Sequence, residues 1–135
     1  MTVELSNVPG LAEPQGFMHV GVASGSKTVY LAGQTAQAAD GSTVGVGDLA
    51  AQTEQALLNV GAALDHAGAS FDDVAKITLY VVDWEPSKME QLGAGVAAAA
   101  SKLGAVPVKP TTLIGVATLF DSSFLIEVDV TAVID

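Results

Sequence analysis

The carboxylates best placed to do chemistry are Glu127 and Asp129, which lie in the apolar run Phe124–Ile134 near the end of the chain. A run rich in Val, Ile and Thr predicts a β-strand. Because side chains alternate across a strand, Glu127 and Asp129 share its less apolar face, opposite the face of Ile126 and Val128. A glutamate among apolar neighbours can exchange a proton with water, so Glu127 is the candidate catalytic residue. Hydrogen bonding to backbone and pairing with a lysine at a subunit interface remain the alternatives.

Other motifs point to structure rather than to a cofactor or a metal. Gly45–Ala50 matches G-x-G-x-x-A, but Asp48 would place a negative charge where a dinucleotide pyrophosphate must lie. The segment Ser24–Lys27 matches S-x-x-K and is predicted to be a turn. The two histidines, His19 and His66, lack metal-ligand spacing, and the chain has no cysteine. We therefore expect neither a metal nor a cofactor.

The elements that must position Glu127 follow the order β-β-β-α-β-α-β-β. Asp48 is the predicted N-cap of the first helix and Gly68 its stop, while Ser87 and Glu90 predict a capping box for a second helix, Lys88 to about Leu103. The second and third strands are expected to form a hairpin, and the last two to pair with each other. Gly33 marks an expected bulge or close backbone approach. The predicted strands are Val3–Ser6, Phe17–Ala23, Thr28–Ala32, Val74–Asp83, Leu113–Leu119 and Phe124–Ile134.

Length and charge limit the functional classes. At 135 residues the chain is predicted to be one domain, residues 1–135. Its net charge is −10 and its five basic residues are all lysines, so nucleic acid is not an expected partner. With 50% hydrophobic and 15% charged residues, the composition predicts that part of the surface is covered in an oligomer.

The chain has no apolar run of membrane-spanning length. Its N-terminus, MTVELSNVPG, lacks the basic and apolar regions of a signal peptide. We therefore expect a cytoplasmic protein with no membrane partner.

Several segments together resemble the RidA (YjgF) family. Val29–Thr35 is similar to the family's strand and SGQ turn, and Gln52–Val60 to its first helix. Asp73–Val81 is similar to the strand that follows that helix, and Val116–Leu119 with Ile126–Asp129 to the closing strands. The resemblance extends from about Gly16 to the end of the chain.

This resemblance implies a chorismate-mutase-like α+β domain of two layers, with two helices on one face of a mixed sheet. It also implies a homotrimer with a barrel-like core of three sheets and ligand clefts between adjacent subunits. Members of the deaminase branch hydrolyse imines and enamines of amino acids to 2-oxo acids and ammonia without a cofactor. On that basis Glu127 corresponds to the glutamate that orients water, and Gly33 and Gln34 to the turn that positions substrate. Phe17 corresponds to an aromatic residue near the cleft, or Met18 displaces it.

The departure from the family pattern is the carboxylate-binding arginine. Thr111 stands at its place, eight positions before Leu119, and Thr112 follows as a second hydroxyl. A bidentate arginine contact is worth roughly 2–4 kcal/mol over a neutral one, so weaker binding of a free carboxylate is expected. Lys109 is a nearby substitute cation. The sequence therefore predicts either a deaminase of altered specificity, using Thr111, Thr112 and Gly33 to bind substrate, or a non-catalytic trimer that binds a small metabolite.

Overall fold

The computed structural model describes residues 2–105 and 107–135, which form six strands and two α-helices. The strands are β1 (Val3–Ser6), β2 (Val20–Ala23), β3 (Lys27–Tyr30), β4 (Val74–Val82), β5 (Thr111–Val116) and β6 (Ile126–Ile134); the helices are α1 (Leu49–His66) and α2 (Met89–Leu103).

The central sheet is mixed and has the strand order β3-β6-β4-β5. Strand β6 pairs antiparallel with β3 and β4, whereas β4 and β5 are parallel because α2 crosses between them. The sheet's inward side chains meet α1 in one core, which includes Leu57, Val60, Ile77, Val128 and Val130. The predicted two-layer α+β architecture with helices on one face is confirmed.

Two predicted strand pairings are wrong. β2 does not pair with β3; it pairs with β1 in a separate two-stranded sheet, and β3 joins β6. The terminal strands β5 and β6 lie in one sheet, but β4 is inserted between them. A turn motif indicates only that the chain reverses, whereas the choice of neighbour depends on contacts distant in sequence.

The first helix begins and ends as predicted, and the second spans nearly the predicted residues, Met89–Leu103, but its predicted cap is wrong. The Asp48 side chain accepts a hydrogen bond from the Ala51 N–H, and Gly68 follows the helix with φ of +78°. The capping box predicted at Ser87 and Glu90 is absent among the described contacts: a 3₁₀ turn precedes α2, and Lys88 caps the helix without a side-chain bond. The 3₁₀ turn leads directly into the first turn of α2, in the place where a side-chain cap was predicted.

Two amide side chains of α1 hold the segments on either side of Glu127. The fully buried Gln52 donates to the Ser123 carbonyl at 2.8 Å and accepts from the Leu125 N–H at 2.8 Å, just before β6. Asn59 donates to the Thr35 carbonyl at 2.9 Å, just after the Gly33 turn. Buried amides that satisfy backbone groups fix loops strongly, because losing either partner leaves a polar group unpaired. Helix α1 therefore fixes, from the helix-covered side of the sheet, the two backbone segments that flank the candidate site.

Candidate functional site

Glu127 lies on the face of the sheet that the helices do not cover. It stands opposite Tyr80 of β4, while its neighbours Ile126 and Val128 are fully buried in the core. Asp129, opposite Thr78, follows on the same face. Glu127 itself is half-buried, so it is partly accessible to water. This is the arrangement predicted by the alternation in β6.

Gly33 lies directly against the side chain of Glu127. A β-carbon built on Gly33 would be 2.7 Å from the carboxyl carbon of Glu127 and 2.9 Å from its Cγ. Between the pairs Tyr30–Thr131 and Gln34–Val128 there is one more residue on the Gly33 side than on the β6 side. The chain therefore bulges at this point, as the sequence predicted, and only a residue without a side chain leaves the carboxylate its space.

Gln34 continues the pairing past the bulge. Its N–H donates to the Val128 carbonyl and its carbonyl accepts from the Val128 N–H, both at 2.8 Å. Its side-chain amide donates to the Ala32 carbonyl at 3.0 Å. Gln34 thus holds the Gly33 turn onto β6 through its backbone, and its side-chain carbonyl oxygen remains able to accept a further bond.

A lysine that sequence reasoning missed provides a cation on the same face. Lys76 of β4 donates from Nζ to the Thr112 hydroxyl of β5 at 2.7 Å. Thr112 pairs with Thr78 of β4, and Thr78 pairs with Asp129 of β6. Thr112 therefore lies on the same face of the sheet as Glu127, two strands away and roughly 10–12 Å from it. Since the Thr112 oxygen accepts from lysine, its O–H can donate to an anion beside the remaining ammonium protons. We call Lys76 and Thr112 the lysine–threonine pair.

The alternation in β4 was a signal that could have identified Lys76, because Lys76, Thr78 and Tyr80 have the same parity. What the sequence did not indicate was which strands flank β4.

Three other predicted site residues lie apart from Glu127. Thr111 pairs with Ile77 and faces the helices; its hydroxyl donates to the Lys109 carbonyl at 2.8 Å. Phe17 lines a cavity on that same helix-covered side of the sheet. The Met18 N–H donates to the Lys109 carbonyl at 3.1 Å and ties this segment to the entrance of β5. Within one chain the structure therefore brings Gly33, Gln34 and Thr112 to the face of Glu127, but not Phe17, Met18 and Thr111.

Lys109, considered as a substitute cation, is directed elsewhere. Its side chain is 4% exposed, and burial lowers the pKa of its ammonium group, although attraction to Asp72 and Asp73 opposes that effect. Those carboxylates lie at the start of β4 rather than beside Glu127. The lysine–threonine pair is therefore the cationic feature on the Glu127 face, and Lys109 is not.

Within residues 2–105 and 107–135, no group of three or more His, Asp or Glu side chains is arranged to hold a metal ion. In the same part of the chain, neither helix has the length and apolar character needed to cross a membrane.

Comparisons with known proteins agree with this architecture. The sequence model of the family described as Endoribonuclease L-PSP matches residues 12–134. The crystal structure of YyfB, a Rid family protein of unknown function from Yersinia pestis, is 34% identical, with a TM-score of 0.86 over 98% of this chain and 99% of that one. E. coli TdcF, solved with bound serine, is 22% identical with a TM-score of 0.67 over 98% of each chain.

A curated relative is similar over a shorter length. A RutC family protein from Pyrococcus abyssi is 36% identical over 55 residues, which is 41% of this chain and 43% of that protein. The match therefore spans less than half of that relative.

Proposed function

Because the chain belongs to the Endoribonuclease L-PSP family, which includes the RidA (YjgF) proteins, we propose that it is a deaminase that hydrolyses the C=N bond of small imines and enamines. The single observation that carries this proposal is the seating of the half-buried Glu127 carboxylate against the glycine turn at Gly33. The carboxylate is carried by a strand of the central sheet and is partly accessible to water. This placement suits a group that must position water.

The proposed reaction needs one proton acceptor and no external co-reactant. Glu127 accepts a proton from water as the water oxygen bonds to the imine carbon. Glu127 returns that proton to the imine nitrogen, which gives a neutral carbinolamine. Glu127 then accepts the hydroxyl proton of the carbinolamine and passes it to the nitrogen, so that the C=O bond forms as the C–N bond breaks and ammonia leaves. An imine and water thus become a carbonyl compound and ammonia, and an enamine enters by first taking a proton at carbon.

The lysine–threonine pair is the proposed site for a substrate carboxylate. Lys76 supplies a full positive charge and Thr112 a hydroxyl donor, which together offer a charge-assisted but not bidentate contact. The fold of TdcF is seen with serine bound, so this architecture can accommodate a molecule of amino-acid size. We propose 2-imino acids, bound more weakly than an arginine would bind them, as the substrate class.

The proposed assembly is a homotrimer with its clefts between subunits. The uncovered sheet face carries apolar side chains that a monomer would leave in water, including Tyr30 at 79% and Ile114 at 41% exposure. Both belong to the same face as Glu127 by register with Thr131 and Tyr80. Native mass spectrometry should give three times the 13.6 kDa chain mass; a monomer would contradict the assembly.

Ribonuclease activity, which the family description names, has less support in this chain. The net charge of −10 opposes a phosphate backbone, and the chain contains no arginine. Of its two histidines, His19 uses its Nδ1 to accept the Val8 N–H at 3.0 Å, a structural bond.

The test of deamination is a coupled assay. An amino-acid oxidase generates imines from acidic and from neutral amino acids, and loss of the imine is followed with and without this protein. We expect acceleration by the parent and a loss of about 100-fold or more in Glu127→Gln. Asp129→Asn, the next carboxylate on the same face, is the matched control and should retain activity. No acceleration over buffer with any imine would contradict the proposal.

The alternative is a non-catalytic trimer that binds a small metabolite. It is favoured by one observation: the cation at this face is a lysine, which makes a weaker carboxylate contact than arginine. Thermal stabilisation by 2-oxo or amino acids without imine turnover would support it.

A further inference from the structure

The loop of residues 7–19, which connects β1 to β2, is closed at its base by a histidine. The Val8 N–H donates to Nδ1 of His19 at 3.0 Å, and the His19 N–H donates to the side-chain oxygen of Asn7 at 3.0 Å. Two bonds therefore join the two ends of the loop, and one of them uses the imidazole ring. We call residues 7–19 the N-terminal loop and the bond from Val8 to His19 the histidine latch.

Few other bonds hold the N-terminal loop in place. Its Leu11 N–H donates to the Val8 carbonyl at 3.3 Å, and its Met18 N–H donates to the Lys109 carbonyl at the entrance of β5 at 3.1 Å. Among the described contacts, no hydrogen bond involves residues 12–17. The position of this loop therefore depends mainly on the bonds at its base.

The histidine latch requires a neutral imidazole. A backbone N–H can only donate, so Nδ1 of His19 must accept and carries no proton. Protonated histidine has an N–H on both ring nitrogens and no acceptor, and its positive charge repels the Val8 N–H. Histidine is the side chain that changes its charge between pH 5 and 8. Because His19 is half-buried, water reaches it, and acidification breaks the latch.

No neighbouring charge offsets that loss. The charged side chains on the elements that adjoin His19 are Glu4 of β1, Glu13 of the N-terminal loop, Lys76 of β4 and Lys109 before β5. Lys76 donates to Thr112, and Lys109 is attracted to Asp72 and Asp73. Within residues 2–105 and 107–135, no histidine takes part in an ion pair. A positive charge on His19 therefore gains no carboxylate partner to keep the loop closed.

The latch is coupled to an aromatic side chain of the same loop. The rings of Phe17 and His19 meet edge to face, with centroids 6.1 Å apart and planes at 65°. Phe17 lines the apolar cavity on the helix-covered side of the sheet, between α2 and the strands β4 and β5. We propose that His19 is a pH-sensitive latch: when neutral it holds the N-terminal loop closed with Phe17 at the cavity, and when protonated it releases the loop and Phe17 together.

Amide hydrogen exchange followed by NMR tests this switch. Protection factors, which correct for the intrinsic effect of pH on exchange, are compared at pH 8 and pH 5. We expect the Val8 and Met18 amides to lose about five- to tenfold in protection at pH 5, as for the loss of a hydrogen bond. The Gln34 amide, bonded to the Val128 carbonyl within the central sheet, should keep its protection and serves as the internal control.

Three variants identify the titrating group. His19→Asn keeps an acceptor close to the position of Nδ1 but does not titrate, so its protection should be the same at both pH values. His19→Phe keeps the ring beside Phe17 without an acceptor, so protection should be low at both. His66→Asn, at the exposed end of α1, is the matched control and should retain the pH dependence of the parent. Circular dichroism establishes that each variant is folded.

Several outcomes would overturn the switch. Unchanged protection of Val8 in the parent between pH 8 and pH 5 would do so without any variant. A loss in His19→Asn equal to that of the parent would show that another group titrates. A loss at Val8 with Met18 still protected would show that the bond breaks while the loop stays closed. None of these measurements uses a substrate, so they are independent of the proposed deamination.

Discussion

Gly33 packs directly against the side chain of Glu127. The turn at Gly33 approaches the carboxylate so closely that a β-carbon there would lie 2.7 Å from the carboxyl carbon. Ninety-odd residues separate them in sequence, and the Gln34–Val128 backbone pair brings them together. The contact fixes where the carboxylate can be, so the glycine acts as a positioning residue in the proposed deaminase.

Gly33→Ala should therefore lower imine hydrolysis by about 100-fold, because misplacing a reacting group by an ångström has effects of that order. The contacted atoms belong to the flexible end of Glu127, so the carboxylate moves aside and the free energy of unfolding should change by less than about 1 kcal/mol. Coupled assays and urea unfolding measure both quantities. Gly93→Ala is the control: its β-carbon is unobstructed, and replacing a helical glycine should stabilise the protein by about 1 kcal/mol with activity unchanged.

Lys76→Ala should weaken the hydrolysis of 2-imino acids and spare imines that lack a carboxylate, such as those made from simple amines by an amine oxidase. A hydrogen bond to a charged group contributes roughly 1.5–3 kcal/mol, which corresponds to a loss of about 10- to 100-fold in kcat/KM. Lys76→Arg should retain most activity, and Lys27→Ala, at another exposed lysine, should have no effect. An equal loss for 2-imino acids and for imines without a carboxylate would rule out carboxylate binding by the lysine–threonine pair.

Introducing arginine should have opposite consequences at the two adjacent threonines. Thr112→Arg extends from the exposed Glu127 face, so stability should change by about 0.5 kcal/mol or less and kcat/KM for 2-imino acids should rise. Thr111→Arg places a guanidinium beside the apolar cavity and should destabilise the fold by about 2 kcal/mol or more. Urea unfolding and the coupled assay distinguish the two. Greater activity from Thr111→Arg would mean that the assembled cleft uses the other side of β5.

Stability in acid should depend on Asp73. Burial alone would raise the pKa of this carboxyl group, but hydrogen bonds from Thr2 and Ser70 and attraction to Lys109 bring it below its usual value of 3.8. The stabilisation is therefore fully present above pH 3.8 and is lost as the pH falls through the lower folded-state pKa. Asp73→Ala should lose about 1 kcal/mol at pH 7, as expected for a capping residue.

That difference between Asp73→Ala and the parent should shrink as the solution is acidified below pH 3.8. Urea unfolding across this range provides the measurement, with Asp65→Ala, an exposed acid at the end of α1, as the control. A difference that stays constant with pH would show that ionisation of Asp73 is not its source.

Local patterns were sufficient to predict several features. The alternation of β6 placed Glu127 on the uncovered face, Asp48 and Gly68 bounded α1, and Gly33 marked the bulge. Each of these depends on a few consecutive residues, because backbone geometry and side-chain alternation act over that range. The family resemblance extended this to the layered architecture as a whole.

Pairing could not be predicted in the same way. The last two strands are adjacent in sequence, yet β4 lies between them, and that insertion brings Lys76 of β4 to Thr112 of β5. A reversed chain has several possible neighbours of similar local character, and the sum of long-range core contacts selects among them.

The sequence by itself determined which residue types are present and which face of its own strand each residue occupies. It showed that Glu127, which corresponds to the family's glutamate, is retained and that the chain contains no arginine. Only the tertiary structure decided that Thr112 rather than Thr111 shares the face of Glu127, and that Phe17 lines a cavity behind the sheet. The reason is that the neighbouring strands and helices provide the chemical surroundings of each side chain. Packing across the whole chain determines which elements those neighbours are.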